Sequence, residues 1–311
     1  MVTKDLKISL NLCRGMAYTL LIDYALAFVL SFLVSGNNLS ANAGAAVGSR
    51  SLDYKYALIT ALLGYVLGLW LQGAYMRANI VSGNVAMVAM GVTILIFIVG
   101  ESMRVPMSLT GSLYASLVGA SLALGRIMSN AILVLSYWLS LPVIVMVLSY
   151  LLYRSLSAFS RLSFRYVGAY RGLSVITVFL LSFSFGANNL GLLWALLGFS
   201  YKGLLVIIVS SILGVLLIGW RTLYRLSTGL FTLGPLTSFT VQLFSFIAME
   251  IGTLYSVPMP VTVTTSFGIV GVGAAHKFRI INLRYFNELI VGFVVSIIIG
   301  LMFSYLLIKV M

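Results

Sequence analysis

The sequence has few of the residues that metalloproteins and disulfide-rich proteins depend on. It contains one cysteine, Cys13, one histidine, His276, and only six acidic residues among 311. A single cysteine cannot form an internal disulfide, and with a single histidine it cannot supply a cysteine or histidine metal cluster. We therefore expect no bound metal and no cofactor.

Patterns typical of enzymes are also missing. The chain shows no pair of carboxylates at helical spacing and no cysteine–histidine combination for nucleophilic catalysis. It has no glycine-rich phosphate-binding loop of the kind that holds a nucleotide. These absences predict a protein that is not an enzyme and does not itself hydrolyse ATP.

The chain instead consists mostly of apolar residues. Hydrophobic residues make up 61% of it and charged residues 8%, whereas charged residues form about a quarter of soluble chains. Its long unbroken apolar runs predict an all-α polytopic membrane protein, because a β-barrel would alternate apolar and polar residues. We interpret the net charge of +13 as lysine and arginine in cytoplasmic loops. The expected surroundings are thus the lipid bilayer of the cell membrane, with no nucleic-acid partner.

A polar break interrupts the first apolar run. The segment 36–50 places two adjacent amides, Asn37 and Asn38, where membrane helix would otherwise continue. Adjacent amides are costly in hydrocarbon unless protein, water or a solute pairs with them. The pair returns 151 positions later as Asn188 and Asn189. A duplicated polar break in a membrane chain indicates a transport site.

A second motif repeats at nearly the same distance. Val105–Met107 returns as Val257–Met259, a shift of 152 positions. Two motifs with matching shifts predict two homologous halves of about five hydrophobic segments each, or about 10–12 membrane segments in all. Because five is odd, the halves would be inverted-topology repeats containing discontinuous helices. We assign residues 1–153 to the first repeat, 154–171 to a basic cytoplasmic linker, and 172–311 to the second repeat.

The breaks supply candidate substrate ligands. A half-helix that starts inside the membrane presents unpaired N–H groups and the positive end of its dipole, which favours anions. Hydroxyls and amides beside such starts can donate to oxyanion oxygens, although ordinary contacts between helices are the alternative interpretation. The candidates are Asn37, Asn38, Asn188, Asn189, Ser108, Thr110, Ser112, Thr262, Thr264, Thr265 and Ser266.

Three acidic residues lie in or beside predicted spans. Glu250 is a candidate for coupling transport to an ion, since intramembrane acids are usually functional; the alternative is a structural acid facing Gln242, two turns back. Asp23 has no counterpart in the second half, which favours a structural role over ion coupling. Glu101 is interpreted as the partner of Arg104 at a helix end, and His276 as a solvated residue.

Together these motifs resemble the inorganic phosphate transporter family, the sodium- or proton-coupled phosphate permeases. The family's duplicated signature matches Gly36-Asn37-Asn38 followed by Gly44 to Ser49, and its second copy matches Phe185 to Asn189. Its proline-containing closing element is similar to Pro106 to Gly111 and, more loosely, to Pro258 to Thr265. The resemblance implies phosphate uptake by alternating access between two inverted repeats, energised by sodium or protons.

The chain departs from the family pattern at several positions. The family aspartates are replaced by Asn38 and Asn189, and the downstream family asparagine falls at Ala41, with Asn42 displaced by one position. Asn42 therefore joins Glu250 and Asp23 as a candidate for the coupling ion. With both aspartates lost, we expect proton coupling through Glu250. A sulfate or other oxyanion permease and an uncoupled anion channel remain alternatives, and a homodimer is left open.

Overall fold

In the computed structural model, the residues described are 2–81, 83–103, 105–160, 164–223, 234–275 and 282–311, and within these ranges the chain is helical with no strand. The first half contains α1 (Val2–Gly48), α2 (Tyr54–Gln72), α3 (Asn84–Ser102), α4 (Leu109–Ala123) and α5 (Ala131–Ser160). The second contains α6 (Phe164–Phe185), α7 (Gly191–Leu196), α8 (Tyr201–Gly214), α9 (Trp220–Thr222), α10 (Pro235–Leu254), α11 (Val261–Ala275) and α12 (Leu283–Val310).

Eight helical stretches are long and apolar enough to cross a membrane. The helices α4 and α11 are also apolar but have only 15 residues each. At 1.5 Å per residue they are about 22 Å long, shorter than a hydrocarbon core of about 30 Å. Eight full spans and two short ones in the described residues agree with the predicted count and confirm the fold class.

The two halves interlock in a reciprocal manner. Helix α1 packs against α8, and its counterpart α6 packs against α2. Likewise α4 packs against α12, while its counterpart α11 packs against α5. Each of these contacts therefore occurs twice with the roles of the halves exchanged, as expected for inverted repeats.

Equivalent glycines make these contacts close. A Cβ atom on Gly119 of α4 would lie 2.1 Å from the Leu301 carbonyl oxygen, and one on Gly271 of α11 would lie 2.1 Å from the Met146 carbonyl oxygen. No side chain fits at such distances, so the helix backbones touch directly, as small residues permit in membranes. The two glycines are 152 positions apart, which matches the shift between the proline motifs.

The predicted break at 36–50 is wrong, because α1 continues without interruption to Gly48. The Asn38 amide does not disrupt the helix; its Nδ2 donates to the Val34 carbonyl oxygen one turn back, at 3.0 Å. The glycines serve packing instead. A Cβ on Gly36 would lie 2.6 Å from the Gly214 carbonyl oxygen, and one on Gly44 would lie 2.5 Å from that of Leu223.

The second amide motif is not a break either, because Gly186–Leu190 forms a buried π-helical turn that joins α6 to α7. Turns of this type occur often at functional sites. The proline motifs do interrupt the helices, as predicted. We call residues 103 and 105–108, between α3 and α4, the first linker, and residues 255–260, between α10 and α11, the second linker.

The basic segment 154–171 is mostly helical rather than a loop, since α5 extends to Ser160 and α6 begins at Phe164. Its cytoplasmic location remains a prediction. Residues 161–163, Arg104 and the segment 276–281 lie outside the described residues. The expected pairing of Glu101 with Arg104 and the expected solvation of His276 therefore also fall outside them.

Candidate functional site

Two hydrogen bonds join the amide motifs to the hydroxyls predicted beside them. The Thr262 hydroxyl donates to Asn38 Oδ1 at 2.9 Å, and the Thr110 hydroxyl donates to Asn189 Oδ1. Asn38 and Asn189 are equivalent positions of the two halves, as are Thr110 and Thr262. Each bond crosses between the halves, so the predicted residues come together in two pairs, Thr262 with Asn38 and Thr110 with Asn189.

The second amide pair is fixed to the second linker. Asn188 Nδ2 donates to Thr253 Oγ1 at 3.1 Å and to the Val257 carbonyl oxygen at 2.8 Å. Asn188 Oδ1 accepts from the Met259 backbone N–H at 2.7 Å. Asn189 Nδ2 also donates to the Met259 carbonyl oxygen, at 3.2 Å. Asn188 is fully buried, and its amide is paired entirely by protein.

The first amide pair has a different environment. Asn37 is only half-buried, and it lines a cavity between α1, the first linker, α11 and α12. The remaining lining residues are Ser40, Glu101, Pro106, Met107, Ser108, Thr262, Val263, Tyr285, Leu289 and Phe293. Asn37, Ser108 and Thr262 are therefore the predicted ligands that this cavity brings together.

The charge distribution around this cavity suits an anion. Thr262 and Val263 belong to the first turn of α11, and Ser108 is the N-cap of α4, accepting from the Gly111 N–H at 3.1 Å. Two helix N-termini, each the positive end of a dipole, thus border the cavity. The hydroxyl and amide groups around it are neutral donors. Among the described residues that line the cavity, Glu101, at the exposed edge, is the one carboxylate.

Four of the predicted hydroxyls bond within their own helices. Ser112 donates to the Leu109 carbonyl oxygen at 3.0 Å and Thr264 to that of Pro260 at 3.2 Å. Donation from Thr265 and Ser266 to carbonyls of the preceding turn follows the same pattern. Such bonds are common for helical serine and threonine and need no ligand. A role of these four in substrate binding remains a prediction.

Glu250 lies in a separate polar cluster. Its Oε1 accepts from Gln72 Nε2 at 2.7 Å, and its Oε2 accepts from the Ser184 hydroxyl at 2.5 Å. The expected alternative, pairing with Gln242, is wrong, because Gln242 turns toward α1 and donates to the Asn42 backbone oxygen at 3.1 Å. Glu250 therefore joins α10 to α2 and α6 instead of pairing along its own helix.

The other two coupling candidates each retain an unpaired oxygen. Asn42 Nδ2 donates to the Tyr65 hydroxyl at 2.6 Å, while its Oδ1 is buried without a partner among the described residues. Asp23, half-buried in α1, likewise has one buried carboxylate oxygen without a partner in the described ranges. The same ranges contain no group of three His, Cys, Asp or Glu residues able to hold a metal ion.

Sequence analysis missed three polar residues of the cavity. Ser40 lies one helical turn after Asn37, so helical spacing alone could have identified it. Tyr285 and Glu101 could not be found this way, because α12 and α3 bring them to the cavity from distant parts of the chain.

Two inverted helical halves, with polar segments between them, are an architecture of membrane transport proteins. The sequence profile of the phosphate transporter family matches residues 34–168 and again residues 163–304. The chain therefore belongs to this family, as the motifs indicated, and it is not an enzyme.

Individual relatives agree with this membership. The chain is 25% identical to a candidate phosphate permease of Methanocaldococcus jannaschii, over 92% of this chain and 96% of the relative. It is 24% identical to the sulfate permease CysP of Bacillus subtilis, over 92% of this chain and 86% of the relative. Its fold is similar to a solved sodium-dependent phosphate transporter, with a TM-score of 0.74, 16% identity, and coverage of 94% of this chain and 98% of that one.

Proposed function

We propose that this protein is a secondary active transporter that carries inorganic phosphate across the cytoplasmic membrane by alternating access. The observation that carries the proposal is the cavity beside the first linker. There Asn37, Ser40, Ser108 and Thr262 face a common space next to two helix N-termini. The Asn37 amide and the Ser108 hydroxyl, with the two helix dipoles, can replace part of the hydration of an oxyanion without placing a fixed positive charge there. The hydroxyls of Ser40 and Thr262 donate to the Asn37 carbonyl oxygen and to Asn38 Oδ1 in the state seen here.

Glu101 favours phosphate over sulfate as the substrate. At neutral pH an inorganic phosphate ion carries at least one hydroxyl hydrogen, whereas sulfate carries none. A carboxylate can only accept hydrogen bonds, so Glu101 at the edge of the cavity would accept from phosphate and repel sulfate. Sulfate remains the second candidate, because the chain is also similar to a sulfate permease.

The coupling ion that we propose is the proton, with Glu250 as the group that carries it. Glu250 is half-buried in α10, and both its oxygens accept hydrogen bonds from the neutral groups of Gln72 and Ser184. Protonation would convert one of these acceptors into a donor and so require the cluster to rearrange. Sodium is the alternative, for which Asn42 and Asp23 are the candidate ligands with unpaired oxygens.

Uptake into proteoliposomes tests substrate and coupling together. Purified protein would be given radioactive phosphate or sulfate under an imposed proton or sodium gradient. We expect phosphate to accumulate above its external concentration when a proton gradient is present. Uptake that only equilibrates phosphate under either gradient would identify an anion channel, and preferential accumulation of sulfate would identify a sulfate permease.

The proposed orientation places the basic segment 154–171 in the cytoplasm, because it contains four arginines and no acidic residue. A cysteine introduced at Ser157, in a protein carrying Cys13→Ser, should react with an impermeant thiol reagent only after cells are opened. Labelling in intact cells would contradict this orientation.

A further inference from the structure

The two linkers have the same local fold. The Val105 N–H donates to the Gly100 carbonyl oxygen at 2.9 Å, and the Val257 N–H donates to the Gly252 carbonyl oxygen at 2.8 Å. These four residues occupy equivalent positions, 152 apart. The two linkers therefore share this turn and can be compared by what packs against them.

Their surroundings do differ. Val257 and Met259 of the second linker have no exposed surface, whereas Val105 and Met107 of the first linker are only half-buried. Met107 lines the cavity, and Val105 lies beside it. The protein is thus closed around the second linker and open at the first.

Asn188, which bonds to the second linker, has its counterpart Asn37 in a different environment. Asn188 is bonded to Thr253, to the Val257 oxygen and to the Met259 N–H. Asn37 is its equivalent, but Asn37 lines the open cavity. The groups equivalent to the three partners of Asn188 are Glu101, the Val105 oxygen and the Met107 N–H. The first half therefore contains a complete set of partners with which Asn37 could close the first linker.

We propose that Asn188 and Asn37 are alternate latches of two opposed gates. In the state seen here Asn188 holds the second linker closed. In the opposite-facing state Asn188 releases the second linker, and Asn37 closes on the first linker through Val105 and Met107. The proposal rests on the alternating access of the proposed function, and it gives the two asparagines different roles in the state seen here, Asn188 as a latch and Asn37 as part of the cavity lining.

Paired cysteine reporters test this exchange without any substrate. In a protein carrying Cys13→Ser, Val105→Cys should react with an impermeant thiol reagent in proteoliposomes, and Val257→Cys should be protected. Adding Asn188→Ala should raise the reactivity of Val257→Cys about tenfold, a shift of ~1.4 kcal/mol between the two states. Because the states exchange population, the reactivity of Val105→Cys should fall at the same time.

Two further variants separate a latch from a simple packing role. The matched variant Asn37→Ala should leave Val257→Cys protected, since it removes a latch that this state does not use. Thr253→Val deletes one acceptor of Asn188 and leaves the asparagine in place. It should change the thiol reactivity of both reporters in the same directions as Asn188→Ala does, but by less. It serves as the test if Asn188→Ala does not fold.

Three results would overturn the proposal. The first is unchanged thiol reactivity of both reporters in Asn188→Ala. The second is a rise in the reactivity of Val257→Cys without a fall in that of Val105→Cys, and the third is an equal rise in the reactivity of Val257→Cys when Asn37→Ala is added instead. The second of these would indicate local loosening around Asn188 and not an exchange of gates. Since the labelling needs no transported ion, a failure to carry phosphate would leave this test intact.

Discussion

The reciprocal bonds between the halves allow one substitution to be made twice in matched surroundings. Thr262→Val removes the hydroxyl that donates to Asn38 Oδ1, and Thr110→Val removes the one that donates to Asn189 Oδ1. Valine keeps the branched shape of threonine, so the packing change is small. Asn38 and Asn189 are only 6% and 3% exposed, so water cannot readily replace the lost donor.

The expected cost follows from that burial. A buried acceptor left without its partner destabilises a protein by about 1–3 kcal/mol. Because the two asparagines are similarly buried, we expect the two variants to lower the free energy of unfolding by similar amounts. Thermal denaturation of the purified variants in the same detergent would measure this, with the unsubstituted protein as reference.

Transport should separate the two variants. Thr262 lines the cavity, whereas Thr110 is buried outside its lining. We therefore expect Thr262→Val to raise the KM for phosphate about tenfold, equivalent to ~1.4 kcal/mol of lost binding, and Thr110→Val to leave KM nearly unchanged. Initial uptake rates in proteoliposomes give both values. An equal rise in KM for both variants would refute the placement of the substrate in this cavity.

Three further predictions follow from the same contacts. Glu101→Gln should increase uptake of sulfate relative to phosphate, and an unchanged ratio would remove Glu101 from substrate selection. Glu250→Gln keeps the volume and hydrogen-bonding capacity of the side chain. It should abolish uphill uptake driven by a pH gradient but keep phosphate exchange. Full gradient-driven uptake by this variant would exclude Glu250 as the group that carries the proton. Gly119→Ala and Gly271→Ala should each destabilise the protein by about 1–3 kcal/mol through overpacking. Gly91→Ala is the control and should not destabilise it, because a Cβ there meets no atom within 4 Å. Thermal denaturation of the purified variants measures the difference.

The overall architecture could be predicted because both halves keep recognisable copies of the same motifs. The repeated asparagine pairs and the repeated Val-Pro-Met sequences fixed the equivalence of positions, and inverted topology followed from the odd number of segments. The same equivalence predicted that Asn38, Asn189, Thr110 and Thr262 belong to one central region. The reciprocal hydrogen bonds join these residues in two pairs that each cross between the halves, and their role in one shared site stays a prediction.

The continuity of α1 could not be predicted from residue types. Two adjacent asparagines favour loops and caps over helix interiors, and they become compatible with a helix only through particular partners. For Asn38 these are the Val34 oxygen in its own helix and the Thr262 hydroxyl from the other half. Composition shows the cost of an amide at that depth, but the distant partner that offsets the cost is a property of the folded protein.

The difference in burial between the two linkers could not be predicted from the repeated motifs either. It accompanies contacts that only one of the two linkers makes. A latch present in both halves contributes to both states, so its effect largely cancels in their free-energy difference. The Trp138 indole N–H donates to the Pro258 carbonyl oxygen at 2.6 Å, but the position equivalent to Trp138 is Ile290, which has no donor. Asn79 Nδ2 donates to the Ser256 carbonyl oxygen at 2.8 Å and gives the second linker another bond. In the alternation proposed above, contacts such as that of Trp138 would favour the state closed at the second linker.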